Sequence, residues 1–299
     1  MRGGNGPTWN GTPQDLKRAY TLLIKPIEDF LPTDQGDRLI IVPHRELGTI
    51  PFAALIDDSD RFLLDRHSIT VTPSLQTLAT VQNNTGPFTG NPLIVGNPSP
   101  MPRANNGDIF DSLPGTEAEA TAISQMLNAT PILGEQATKA AIQQQLESAS
   151  ILHFATHGEI AGSDQNIDGN WLALSAVGSD ASNHKLTLTE IFNSNLNAQL
   201  AVLSACNTSS GAATGEGVLG LARAFLKAGV PTVVASLWKV PDDKTQILME
   251  AFYQELLAGK TYADALRLAQ LKVRAESPLP RDWAAFVVIG DGDRTLELP

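Results

Sequence analysis

A single cysteine, Cys206, occurs among the 299 residues, so the chain can close no internal disulfide and build no thiolate-rich metal site. Basic residues are also scarce. Lys and Arg number 21 against 32 Asp and Glu, which gives a net charge of −11 and a pI near 4.8. There is no Lys/Arg run to hold a phosphate backbone, and nucleic acid is not an expected partner. Apolar runs are short: Leu200–Leu203 and Val230–Leu237 fall far below the roughly 18 to 20 residues that span a bilayer. The opening MRGGNGPTWNGTP lacks the apolar core of a signal peptide. A cytoplasmic protein without a membrane span is expected.

The 42% hydrophobic content is enough to bury one sizeable core or two modest ones. Residues 1–12 carry no periodicity and read as a flexible tail. From Pro13 the spacing of Leu16, Tyr20, Leu23, Ile27 and Leu31 predicts an amphipathic helix that Pro26 should kink or split. Strands are expected at Arg38–Val42, Phe62–Leu64 and Ser68–Val71, which closes a smaller N-terminal α/β subdomain over residues 13–88. After the Asn/Thr/Gly-rich stretch 83–90 the pattern changes to strand–helix alternation. Over residues 89–299, strands at Leu93–Gly96, Ile151–Ala155, Gln199–Ser204, Thr232–Leu237 and Phe286–Ile289 alternate with helices, and shorter strands are expected at Pro131–Leu133 and Trp171–Leu174. Continuous apolar strands between helices predict an α/β fold with a mostly parallel sheet covered on both faces.

In such sheets, reactive groups gather beyond the carboxyl ends of the strands. One buried strand runs into HFATHG, ending at His157-Gly158, and another runs into LAVLSACNT, ending at Cys206. The cysteine follows the histidine by 49 residues, close to the interval between base and nucleophile in caspases. A thiol with a pKa near 8.5 needs a neighbouring imidazole to react as thiolate, and the imidazole can return the proton to the leaving amine. The expected roles are Cys206 as nucleophile and His157 as general acid–base. Backbone N–H groups of Gly158 and Cys206 are the expected oxyanion hole. Glu159 and Asn207, next in sequence, are candidate pocket residues, and an acidic pocket favours a basic residue before the cut bond. This chemistry requires no metal or cofactor.

The segments HFATHG and LAVLSACNT, with GEGVLGLARAFLKAGVPTVVASLWKVPDD, resemble the CHAT domain, a branch of the caspase/separase-like cysteine peptidases often joined to tetratricopeptide repeats. RLIIVPHRELGTIPFAAL, LPGTEAEA, GKTYADALRLAQ and WAAFVVIGD extend the similarity over roughly residues 13–292. The resemblance implies a caspase-like fold, His157 and Cys206 as the catalytic pair, and a substrate groove near Trp238 and Asp242, although the aspartates of this loop are equally suited to capping the helix that follows. It also implies a protein or peptide substrate, a regulatory partner such as a tetratricopeptide-repeat protein, and a prokaryotic cell-death or defence setting. The surroundings of Cys206 depart from the QACxG of animal caspases, so aspartate specificity does not carry over.

Other readings compete. A catalytically silent caspase-like scaffold is the alternative, since fold alone does not fix function. A nucleotide-binding domain lacks both a phosphate loop and GxGxxG after Leu93–Gly96. His153 reads as structural support on the same sheet face as His157, and His44, His67 and His184 read as surface histidines. Gly215-Glu216-Gly217 reads as a tight loop rather than an anion site.

Overall fold

The computed structural model describes residues 11–34, 36–160, 167–204 and 215–298, apart from the side chains of 167, 181 and 215–218. The first elements are α1 (Pro13–Leu23), β1 (Gly36–Ile41), α2 (Leu63–Arg66), β2 (His67–Val71) and α3 (Leu75–Gln82). Next come β3 (Leu93–Pro98), α4 (Pro114–Met126), β4 (Ile132–Gly134), α5 (Lys139–Leu146), β5 (Ile151–Ala155), β6 (Gly158–Glu159), β7 (Trp171–Ala173), β8 (Lys185–Thr187) and α6 (Leu188–Asn193). The last are β9 (Leu200–Leu203), α7 (Gly215–Lys227), β10 (Thr232–Ser236), α8 (Asp242–Leu257), α9 (Tyr262–Glu276), α10 (Pro280–Trp283) and β11 (Phe286–Gly290).

Eight strands form one sheet in the order β1-β2-β11-β10-β9-β5-β3-β4, parallel everywhere except between β10 and β11. Strands β5, β9 and β10 are buried along their whole length, which is what continuous apolar sequence in a two-sided sheet requires. Neighbouring residues of β5 show both covers. His153 meets Glu119 of α4 and Tyr253 of α8, whereas the Phe154 ring lies against Phe225 of α7. Although β1 and β2 precede residue 88, they join this same sheet, and Leu16, Tyr20 and Leu39 share one core with Val233 and Ile289.

Helix ends follow the local chemistry. Thr12 and Asp15 form a capping box at α1, and Thr187 and Glu190 form another at α6. Pro26 splits the first helical segment as expected: α1 stops at Leu23, and a 3₁₀ turn takes over from Lys25 to Phe30. The strand expected at Phe62–Leu64 is instead the start of α2. Leu63 and Leu64 are both buried, as in a two-sided strand, but the Asp65 carboxylate accepts the Phe62 N–H at 2.9 Å and closes a helical turn. Trp171 is in a strand, but β7 belongs to a separate three-stranded antiparallel sheet, β6-β7-β8, beside the main one.

Gly96 shows how closely α4 lies on β3. A Cβ there would stand 2.5 Å from the Ala120 Cβ and 2.7 Å from the Thr116 carbonyl oxygen. Gly96→Ala is therefore expected to destabilise the fold by about 1–3 kcal/mol, read as a lower urea midpoint at unchanged slope.

Candidate active site

A narrow cleft of about 50 Å3 opens where the carboxyl ends of β5, β9 and β10 meet the first turns of α4 and α8. Thr156, His157, Ser204, Ser236, Trp238 and Asp242 line it. Gly115 lets the two helix starts approach, because a Cβ at that position would strike the Asp242 side chain.

His157 follows β5 by two residues. Its carbonyl accepts the Ala173 N–H at 2.8 Å, and Thr156 Oγ1 donates to the Ala173 carbonyl at 2.9 Å, which ties the chain leaving β5 to β7. In an antiparallel ladder hydrogen-bonded and non-hydrogen-bonded pairs alternate, so the next pair, Gly158 with Leu172, has the Gly158 N–H turned away from β7. His157 Nε2 lies 2.8 Å from the Asp111 carbonyl oxygen. A carbonyl only accepts, so Nε2 carries the proton and Nδ1 keeps the basic lone pair. Phe110 stacks on the imidazole at 4.5 Å and 10°, and Trp171 meets Phe110 edge-on at 5.7 Å.

His157 is only 2% exposed, and burial is the main reason that its pKa falls to about 4. The Asp111 carbonyl opposes this shift, while the Lys239 ammonium adds to it. The ring is neutral at pH 7. Between pH 6.5 and 4 the unfolded chain then binds the proton that folded His157 refuses, so stability must fall as pH drops through that window. His157→Gln is expected to narrow the gap between urea midpoints at pH 7 and pH 5; an unchanged gap would contradict the burial argument.

Below the cleft lies a buried polar cluster drawn from α4, β5, α8 and the residue that follows β9. Glu119 of α4, 1% exposed, has Oε1 3.1 Å from His153 Nε2, and its Oε2 accepts the Ser204 hydroxyl at 3.2 Å. His153 Nδ1 is 3.1 Å from the Tyr253 hydroxyl. Burial, then the nearby Glu119 carboxylate, raises the Tyr253 pKa well above its ordinary value, so the phenol keeps its proton. Tyr253 thus donates to Nδ1, and the imidazole donates onward from Nε2 to Glu119.

Of the residues expected from sequence, His157, Trp238 and Asp242 come together on the cleft walls. Trp238 is held by donating its indole N–H to the Arg281 carbonyl at 2.9 Å, and Asp242 opens α8 after Pro241. Glu159 is fully buried in β6 opposite Trp171 and is not among the cleft-lining residues. Cys206 and Asn207 lie outside the described residues, as do the side chains of Gly215-Glu216-Gly217, whose backbone begins α7. His153 is fully buried against Glu119 of α4 and Tyr253 of α8, and Glu119 also lines the cleft with His157, which lies two residues beyond the end of β5 and bonds the Asp111 carbonyl instead. His67 is not a surface residue. It is buried in β2 with Nδ1 3.2 Å from the Asp37 carbonyl oxygen, and burial lowers its pKa.

Sequence reasoning missed the Asp111 carbonyl, Phe110 and Glu119. The first is backbone and has no residue-type signature. Glu119 did leave one, as an acidic residue beside Ala120 and near Ile123 on the buried side of a helix. Among the described residues no group of three or more His, Cys, Asp or Glu is placed to hold a metal ion, and no helix is long and apolar enough to cross a membrane.

A sequence model of the CHAT domain matches residues 13–291. Tetratricopeptide repeat protein 28 of Homo sapiens is 30% identical over 92% of this chain, and that of Mus musculus 28% identical over the same share. The chain spans only 13% of each relative's length. Both relatives are animal proteins, so the prokaryotic setting implied by resemblance gains no support from them. Among solved structures, the Saccharomyces cerevisiae separase–securin complex matches with a TM-score of 0.56 at 18% identity, over 89% of this chain and 16% of that one. The Arg-specific cysteine proteinase gingipain R matches at 0.53 and 12% identity, over 96% and 68% respectively. Both likenesses establish the caspase-like fold.

Proposed function

The chain belongs to the CHAT domain family, and from that premise we propose that it is a cysteine endopeptidase cleaving a protein partner, with Cys206 as nucleophile and His157 as general acid–base. The observation that carries this reading is the fixed tautomer of His157 at the end of β5. With Nε2–H held by the Asp111 carbonyl, Nδ1 is the nitrogen able to take a proton. Strand register supports the pairing. β5 and β9 are adjacent and parallel, Ile151 faces Leu200 and Phe154 faces Leu203. The interval in each pair equals the interval from His157 to Cys206 in sequence.

In the proposed reaction Nδ1 takes the thiol proton and the thiolate attacks the peptide carbonyl. The Gly158 and Cys206 N–H groups receive the oxyanion. The imidazolium then protonates the departing amine, and water hydrolyses the acyl-enzyme after a second proton transfer to His157. Trp238 and Asp242 line the groove and Asn207 remains a proposed specificity residue, whereas Glu159, fully buried in β6, is not carried forward as one. The reaction belongs in the cytoplasm, where a lone thiol stays reduced. The names of the curated relatives support a tetratricopeptide-repeat protein as the regulatory partner.

An irreversible thiol-directed peptidyl probe tests the assignment. Wild type should be labelled once and Cys206→Ala not at all. Labelling that survives the substitution removes Cys206 as nucleophile.

A further inference from the structure

The loop between β3 and α4 serves two places. Its end, Phe110 and Asp111, holds His157, whereas its first part, Met101, Pro102, Arg103 and Ile109, walls a separate cavity of about 330 Å3 against Trp171, His184 and Lys185. Trp171 and Pro102 are buried and form an apolar base, while Arg103 and Ile109 are exposed. The Lys185 ammonium stands 5.0 Å over the Trp171 ring. In a chain of net charge −11 this mouth is cationic. Arg103 donates to the Gly107 carbonyl, and the Lys185 ammonium sits over the Trp171 ring. Two acidic groups lie near these residues: Asp180, whose field reaches His184 and whose oxygens accept from Ser182 and Asn183, and Asp108, which precedes Ile109 and accepts from Asn106. His184 Nε2 is shielded from water without a hydrogen-bond partner.

A stack of buried rings separates the cavity from the cleft. Trp171 packs on Phe110, which stacks on His157, so its floor is two ring contacts from the imidazole. About three to four residues of extended peptide, at roughly 3.3–3.6 Å each, cover that distance.

We propose that this cavity extends the substrate groove and takes an apolar side chain flanked by carboxylates, about three to four residues from the bond that is cut. This rests on the peptidase reading given above. Trp171, Met101 and Pro102 receive the apolar group, and Arg103, His184 and Lys185 receive the carboxylates.

Two measurements test it. Fluorescein-labelled Glu-Glu-Leu-Glu-Glu, titrated with the full chain and followed by anisotropy, should bind saturably, and Lys-Lys-Leu-Lys-Lys should not. The double variant Arg103→Glu/Lys185→Glu, which reverses two outward-lying charges, should weaken the acidic peptide at least tenfold. Equal binding of the two peptides, no binding of either, or an unaffected double variant would overturn the proposal. In cleavage assays, a Glu-Leu-Glu block moved residue by residue along a peptide substrate should raise kcat/KM at least tenfold at three to four residues from the cut, in wild type only. If no peptide is cut while charge-dependent binding persists, the peptidase reading and the groove fall together, and the cavity stands as an acidic-peptide site of another kind.

Discussion

His157→Ala is expected to lower kcat/KM for peptide cleavage by about 10²–10⁴-fold, the usual range for a general acid–base group. The loss should fall on kcat, since the imidazole acts on the proton in flight rather than on substrate held in the groove. A second readout needs no turnover. The chain has one cysteine, so iodoacetamide uptake reports Cys206 alone. Without its proton acceptor the thiol should approach the ordinary value near 8.5, and the pH of half-maximal alkylation should rise in the variant. Asp111 supplies the control. Its carbonyl orients the imidazole while its side chain is exposed, so Asp111→Asn should leave kcat/KM within about threefold. A large loss in Asp111→Asn would move the orienting role from backbone to carboxylate.

The parts of this site that were legible from sequence are those that depend on runs and intervals. Strands β5, β9 and β10 are short apolar runs buried on both faces, and such runs declare themselves without structure. The register of β5 and β9 shows what such an interval means on this sheet: adjacent parallel strands convert a fixed difference in residue number, as between Ile151 and Leu200, into a shared level. Legibility failed where an element was too short to carry a period. Gly158–Glu159 and Lys185–Thr187 are two and three residues long, and the antiparallel sheet that they form with β7 has no sequence signature of that length. It failed again at Leu63–Arg66, where two adjacent buried leucines imitate a strand until Asp65 closes the turn. The polar cluster of Glu119, His153, Ser204 and Tyr253 was invisible for a third reason. Its members lie up to 134 positions apart in sequence, from Glu119 to Tyr253, and only the folded sheet and its helix layer assemble them.

That cluster carries the second large expected effect. Glu119→Ala removes the acceptor for both His153 and the Ser204 hydroxyl and leaves two buried donors unpaired. At roughly 1–3 kcal/mol for each stranded group, a loss of about 3–5 kcal/mol in unfolding free energy is expected. Glu119→Gln separates hydrogen bonding from charge. The amide oxygen can accept from His153, and the amide nitrogen can donate to the Ser204 oxygen, so both contacts survive with one proton rearranged. If hydrogen bonding is what matters, the glutamine variant should cost about 1 kcal/mol. A loss equal to that of alanine would mean that the carboxylate charge itself is required. A double-mutant cycle with Ser204→Ala gives the pairwise coupling, and a value near zero would show the 3.2 Å contact to be incidental. Ser204 is the last described residue of the segment leaving β9, two positions before Cys206 in sequence. An anchor there should matter to reactivity as well as to folding. Under conditions where each variant is fully folded, Ser204→Ala is expected to slow Cys206 alkylation and, on the proposed peptidase reading, to lower kcat more than it raises KM, because the bond to Glu119 anchors Ser204, two positions before the proposed nucleophile.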